Sequence, residues 1–208
     1  MSTWSVWAQV EAELPVVHAI PFASTGNVVA LEVENTGARE AVAVRVVATD
    51  IPVWLSLEQA EVTLDEMEAG KLSLASFTFA VDREAPVGQS ASLVFDVVSG
   101  EDVLRSKTIM LEVAPPSEAL LLQNYPNPFQ GATTIGFDLP FAGAVEVRVF
   151  DMLGREVAVL ADDSREAGHH QVQWEGRRFA SGTYFYVLKA QGPAGEHVFL
   201  SNKMLLLK

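Results

Sequence analysis

No cysteine occurs anywhere in the 208 residues, which excludes a disulfide framework and every thiolate metal site. Positive charge is also missing from the beginning. The first Lys or Arg is Arg39, and Glu11 and Glu13 interrupt the early apolar residues, so there is neither a cationic n-region nor an apolar h-region of a secretory leader. No apolar run approaches the ~20 residues needed to cross a bilayer as a helix. A sustained 3.6-residue period is absent too, which argues against helical architecture. The net charge of −13 would repel phosphates and anionic headgroups, which speaks against nucleic acid and acidic membrane surfaces as partners.

What is present is divided unevenly. Residues 1–116 hold 17 Asp/Glu against 6 Lys/Arg, a balance of −11, whereas residues 117–208 hold 10 against 8, a balance of −2. The change falls at Ala114-Pro115-Pro116-Ser117, where consecutive prolines make an extended, stiff junction. The expected organisation is an upstream remnant or linker at 1–15, a first domain at 16–113, a linker at 114–117 and a second domain at 118–208. Trp4, Trp7 and Val10 in the first segment read as the last strand of a preceding domain or as linker.

Alternating and β-branched segments fill both halves. In the first, strands are expected at Val28–Glu34, Ala41–Ala48, Val53–Leu57, Lys71–Val81, Ala91–Val98 and Leu104–Val113. Leu31 and Val33 are read as inward, and Val42, Val44 and Val46 as sharing one face. In the second half strands are expected at Thr133–Leu139, Ala144–Asp151, Glu156–Ala161, His169–Trp174, Thr183–Ala190 and Val198–Leu207. Ile135, Phe137 and Leu139 lie on one face there, with Asp138 opposite. Six or seven short strands per ~100 residues predict an all-β chain of two tandem immunoglobulin-like β-sandwiches joined by a Pro-rich linker.

Candidate chemistry is sparse. His169 and His170 would point to opposite faces of a strand, so they cannot easily share one metal ion. Asp162 and Asp163 are read as sitting in the loop before them. Asp82, Glu84, Glu101 and Asp102 lack the alternating ligand ladder that Ca²⁺ loops use. Glu58, Glu61, Asp65, Glu66 and Glu68 read as a solvated face. None of His18, His169, His170 and His197 neighbours a nucleophile signature. No catalytic residue, metal site or cofactor is expected, and the chain is not read as an enzyme. Trp54, Trp174, Tyr184 and Tyr186 are candidates for a sugar-stacking platform, with the tyrosines on a semi-exposed face.

The most informative stretch is Asn124-Tyr125-Pro126-Asn127-Pro128-Phe129. Each proline pushes the residue before it toward extended backbone and removes an amide donor, so this segment cannot be a central strand. Downstream come Asp151-Met152-Leu153-Gly154-Arg155, a turn in which Asp151 caps backbone amides and Gly154 supplies a positive φ. Then follow Gly168, Trp174 and the run Ala180-Ser181-Gly182-Thr183-Tyr184-Phe185-Tyr186. The chain ends Lys203-Met204-Leu205-Leu206-Leu207-Lys208. In that order and spacing, residues 118 to 208 resemble the C-terminal sorting domain (type A) of the type IX secretion system.

The resemblance implies an address label for export across an outer membrane. The partners implied are the outer-membrane type IX translocon and a sortase-like protease, and the location implied is secreted or cell-surface, reached through the periplasm. Recognition is expected at Lys203, Leu205, Leu206, Leu207 and Lys208, through main-chain groups offered for strand addition, with support from Gly182. The motif lead-in Tyr125, Pro126, Asn127, Pro128 and Phe129 and the turn at Asp151, Gly154 and Arg155 complete the site. Cleavage is expected in or beside Pro115, Pro116, Ser117 and Glu118. An exit label without an entry signal implies a passenger domain upstream of Met1, and a monomer is expected. More loosely, Val33-Glu34-Asn35-Thr36-Gly37, Ile51-Pro52-Val53-Trp54, Met67-Glu68-Ala69-Gly70 and Ala85-Pro86-Val87-Gly88 are similar to the turns of NEW3-type sandwich domains, which implies a spacer or accessory role for 16–113. The alternatives are a carbohydrate-binding accessory module of a secreted glycosidase and a purely structural stalk.

Overall fold

The computed structural model describes residues 16–64 and 66–208. The readings made on Trp4, Trp7, Val10 and Asp65 lie outside the described residues. The chain divides into two compact units between Ala114 and Pro115, and every described element is a strand.

In the first unit the strands are β1 (Val17–Ile20), β2 (Asn27–Glu34), β3 (Val44–Asp50), β4 (Leu55–Leu57), β5 (Glu61–Leu64), β6 (Leu72–Val81), β7 (Ser90–Ser99) and β8 (Asp102–Val113). They form a five-stranded sheet in the order β1-β8-β7-β3-β5 and a three-stranded sheet in the order β2-β6-β4. Alternate residues from the two sheets meet between them: Val44 and Val46 from β3, Leu93 and Phe95 from β7, and Ala75, Phe77, Phe79 and Val81 from β6. Phe77 and Phe95 lie with ring centroids 4.7 Å apart. Asn35, buried in the turn after β2, donates to the carbonyls of Arg39 and Met67 at 2.8 and 2.7 Å, while its Oδ1 accepts from the Gly37 amide. That turn therefore has its backbone groups satisfied from one side chain.

Two expectations for this unit need correction. Val42 does not share the inward face of Val44 and Val46 but is exposed; Ala43 takes a positive φ of 52°, which breaks the alternation before β3 begins. Val53 is fully solvent-facing and lies in a turn, so the strand starts only at Leu55. Glu58, Glu61, Glu66 and Glu68 are solvent-exposed, as the solvated-face reading expects, and the same stretch contains strand β5, whose Leu64 is buried. An edge strand tolerates such charge, and burying Leu64 supplies the inward half of the pattern.

The second unit contains β9 (Leu120–Leu121), β10 (Ala132–Leu139), β11 (Gly143–Phe150), β12 (Glu156–Arg165), β13 (Gly168–Glu175), β14 (Gly182–Gln191) and β15 (His197–Leu206). A three-stranded sheet β13-β10-β9 packs on a four-stranded sheet β12-β11-β14-β15. Ile135, Phe137 and Leu139 of β10 meet Val145, Val147 and Val149 of β11, Tyr184, Tyr186 and Leu188 of β14, and Met204 and Leu206 of β15. All-β architecture and the immunoglobulin-like sandwich are what the alternation predicts. β12 runs further than expected, so Asp162 and Asp163 belong to a strand, opposite Glu146 and Val145, rather than to a loop.

Candidate functional site

The chain's last strand carries the site. β15 pairs with β14 in unbroken antiparallel register from Gln191↔His197 to Gly182↔Leu206. Its alternation sends Met204 and Leu206 into the core, 1% and 0% exposed, and leaves Lys203 and Leu205 outside. Leu207 and Lys208 follow the strand and are exposed. Of the residues expected to be read by a partner, Leu206 is thus a core residue. The exposed set is Lys203, Leu205, Leu207 and Lys208.

β15 is also the edge of its sheet, but the end of that edge is not open. The Phe129 amide donates to the Leu205 carbonyl at 3.0 Å, and the Leu207 amide donates back to the Phe129 carbonyl at 2.9 Å. The Leu205 amide donates to Asn127 Oδ1 at 3.0 Å, and Gln123 Nε2 donates to the Lys203 carbonyl at 2.9 Å. The proline-rich segment, which sequence reasoning treats as a stiff lead-in, is therefore a clamp on the final strand. The clamp thus occupies the Lys203 and Leu205 carbonyls and the Leu205 and Leu207 amides, four of the main-chain groups that strand addition along residues 203–207 would use.

The clamp is anchored inside the unit. Phe129 is 1% exposed and packs on Trp174, with centroids 5.6 Å apart. Trp174 in turn lies 5.0 Å from Tyr184 and 5.3 Å from Phe179. A Cβ at Gly176 would lie 2.9 Å from Leu206 Cδ1 and 3.0 Å from Phe129 Cε2, so a side chain there would displace the Phe129 ring and the Leu206 tip. Both Tyr125-Pro126 and Asn127-Pro128 are cis.

A buried polar network holds the segment ahead of the prolines. The Tyr186 hydroxyl, on a fully buried ring, donates to the Leu122 carbonyl at 2.7 Å and accepts from the Asn124 amide at 3.0 Å. Burial pushes the phenol pKa above its ordinary value, against the opposing pull of the Asn124 amide and the Asn202 side chain. Asn124, itself 2% exposed, donates through Nδ2 to the Pro126 carbonyl and to Thr133 Oγ1 at 3.0 and 2.9 Å. Thr133 Oγ1 donates to the same Pro126 carbonyl at 2.8 Å, and Asn202 of β15 donates to the Leu121 carbonyl at 2.9 Å. Gln123, Asn124, Thr133, Tyr186 and Asn202 were not singled out as site residues. One signal was available: a proline pair removes main-chain donors, so the carbonyls around it must be served by side chains.

At the β11–β12 turn Asp151 Oδ1 accepts from the Leu153 and Arg155 amides at 2.9 and 3.0 Å, and Oδ2 from Arg155 Nε at 2.7 Å. The Arg155 amide and guanidinium hold the Asp151 carboxyl below its usual range. Gly154 sits at φ 76°. Met152 and Leu153 at the tip are 72% and 78% exposed, so the turn is rigidly capped yet presents apolar side chains to solvent.

The remaining candidates resolve by position. His169 Nδ1 lies 2.7 Å from Asp138 Oδ1, both side chains buried, while His170 Nε2 is 2.7 Å from the Glu166 carbonyl. The two imidazoles have separate partners, and Asp138 is buried rather than solvated. Among the described residues no group of three or more His, Asp or Glu is placed to hold an ion. The sugar platform does not form. Trp54, Trp174, Tyr184 and Tyr186 are all buried, and it is Phe185 that faces out, at 41% exposure. The strand parity was read correctly but its two faces were exchanged, because the Tyr184 hydroxyl finds the Ala180 carbonyl inside. In the linker Pro116 is buried, whereas Pro115, Ser117 and Glu118 are exposed.

These features define an immunoglobulin-like terminal sandwich whose own N-terminal motif closes over its last strand. Residues 123–197 match the family described as the secretion system C-terminal sorting domain. That match lies wholly within the C-terminal unit, where the sequence resembles the type IX secretion sorting domains. No curated protein matches the chain. Solved structures similar to it include CopC from Methylosinus trichosporium OB3b, at 11% identity and TM-score 0.31, covering 43% of this chain and 93% of CopC. Dimeric latent PorU from Porphyromonas gingivalis matches at 12% identity and TM-score 0.35, covering 90% of this chain but 19% of PorU. The calcium-binding pair CBD12 from CALX1.2 matches at 8% identity and TM-score 0.38, covering 88% and 81%.

Proposed function

We propose that the second unit acts as a non-catalytic signal. On this reading the type IX translocon docks its exposed terminal surface, and a sortase-like protease then cuts in the accessible Ser117–Glu118 neighbourhood. A sorting domain of this family implies export to the cell surface or secretion. The observation that carries the finer reading is the clamp. The motif that opens the domain spends its hydrogen bonds on the last strand, so the chain terminus is held in one shape with Lys203, Leu205, Leu207 and Lys208 outward. A surface read by a receptor must be ordered before binding, since preorganisation lowers the entropic cost of association. The first unit, with its own core and buried aromatic residues, serves as a spacer or accessory module.

The test is a transplant. Residues 114–208 are fused behind a signal peptide and a fluorescent reporter in a type IX-competent cell, beside a twin carrying Lys203→Glu, Leu205→Ser, Leu207→Ser and Lys208→Glu. All four changes are at exposed positions, so the fold should survive. Reporter outside the outer membrane for the first and periplasmic for the second is expected. Equal retention of both would overturn the reading.

A further inference from the structure

The clamp closes only half of β15's outer edge. The outward groups at the closed end belong to Lys203, Leu205 and Leu207. Because β14 and β15 pair without a register shift, main-chain direction alternates strictly, so Phe199 and Ser201 also turn their N–H and C=O groups away from β14. Among the described residues those groups have no hydrogen-bond partner. The opposite edge of the same sheet is defended differently: β12 has two register shifts against β11 and carries Asp162, Asp163 and Arg165. Bulges and charges of this kind blunt an edge. His197–Ser201 has neither device, and Phe199 there is 68% exposed.

Several cations around this open edge lack a carboxylate partner among the described residues, as does Arg178 between β13 and β14. Arg148, Arg155, Arg165 and Arg177 each face a carboxylate. The three lysines, Lys189, Lys203 and Lys208, all lie on β14, on β15 or at the terminus, and make no ion pair among the described residues. Lys189 stands abreast of Phe199, and Lys203 abreast of Phe185. Glu146, the carboxylate beside Lys189 in register, is engaged by Arg148 at 2.9 Å. Thus an unpaired strand edge lies between unpaired cations and exposed aromatic rings.

We propose that His197–Ser201 takes an added β-strand from the protein that reads the sorting signal, a strand carrying carboxylates toward Lys189 and Lys203 and an apolar side chain toward Phe199. This rests on the reading of the unit as a translocon-docking signal and names the chemistry of the partner. Main-chain bonds supply the affinity, and the lysines select an acidic strand over the basic or neutral strands of other proteins.

The experiment uses the full 208-residue chain behind a signal peptide and carrying a fluorescent reporter, in a type IX-competent cell. Ser201→Pro removes one outward N–H and leaves the inward bonds of Leu200 and Asn202 to β14, since proline is tolerated on such an edge. Ser201→Ala is the side-chain control. The double variant Lys189→Glu, Lys203→Glu reverses the charges without touching the backbone. Thermal melts of the purified chains report folding. Export lowered at least tenfold by Ser201→Pro and by the charge reversal, with Ser201→Ala like wild type, is the expected result. If Ser201→Pro does not fold, the charge reversal decides: a tenfold loss supports the proposal and wild-type export overturns it. Normal export of a folded Ser201→Pro overturns strand addition alone, and charge reversal that still abolishes export would then point to an anionic headgroup. Wild-type chain held in the periplasm overturns the sorting reading and this proposal with it.

Discussion

Asn127 Oδ1 accepts the amide proton of Leu205 at 3.0 Å, across 78 residues of sequence. This is a side chain standing in for a neighbouring strand. It occurs where a proline on either side of Asn127 leaves the main chain without donors, and it gives an edge amide the partner a strand would have supplied. Asn127→Ala is expected to cost about 0.5–1.5 kcal/mol, and Asn127→Asp to retain most of that, since the acceptor oxygen remains. Denaturant unfolding of residues 114–208 measures the cost. Hydrogen exchange at Leu205 should accelerate in the alanine variant only.

Tyr186→Phe separates packing from polar satisfaction. The ring would stay in its fully buried site, while the Leu122 carbonyl loses its donor and the Asn124 amide its acceptor. Stranded buried groups make this worse than the loss of a surface bond, and about 1–3 kcal/mol of destabilisation is expected. A melt indistinguishable from wild type would mean that water replaces the hydroxyl. The network would then not be what holds residues 122–126.

Strand positions within each sandwich were legible where burial is one-sided. Val145, Val147 and Val149 on β11 alternate with Glu146, Arg148 and Phe150, and their inward direction follows. The apolar run 204–207, by contrast, does not alternate in polarity, and Leu206, expected at the recognised surface, is core. Legibility failed where both faces are covered or where polarity lies within one side chain. Asp138 looks like a surface residue until His169 is brought to it by β10–β13 pairing, a contact across 31 positions. Tyr184 and Tyr186 look amphipathic enough for a rim, and their burial depends on the carbonyls of Ala180 and Leu122, which no local pattern announces. The clamp was half visible. The prolines mark residues 124–129 as non-ladder backbone, but its target, a strand about 80 residues away, is set by the sandwich topology.

Phe129→Ala removes the clamp's hydrophobic anchor. The ring is 1% exposed against Trp174 and beside Leu206, and such truncations cost about 3–5 kcal/mol. Because Phe129 also gives its main-chain groups to Leu205 and Leu207, the loss should spread to the terminus. Trypsin should then cut after Lys203, releasing residues 204–208, faster than in wild type, at a denaturant concentration where the remaining core is still folded. Uniform loss of all protection would instead show that clamp and core are one cooperative unit.

The Asp151 turn is predicted to respond to acid. Its carboxyl is held below the usual range chiefly by the Arg155 amide and guanidinium, so the ionised form is favoured by folding. A group with a depressed native pKa contributes stability above its unfolded pKa and loses that contribution as pH falls through the folded value. The amides of Leu153 and Arg155 should therefore exchange slowly at neutral pH and lose protection only at pH below the ordinary carboxylate range. Asp151→Asn keeps an oxygen for those amides but not the charge for Arg155, so it should flatten the pH dependence while leaving the turn formed. Asp151→Ala should release the turn at every pH. If the wild-type turn were equally protected in acid, Gly154 and the flanking β11–β12 pairing, rather than the carboxylate, would be holding Met152 and Leu153 in place.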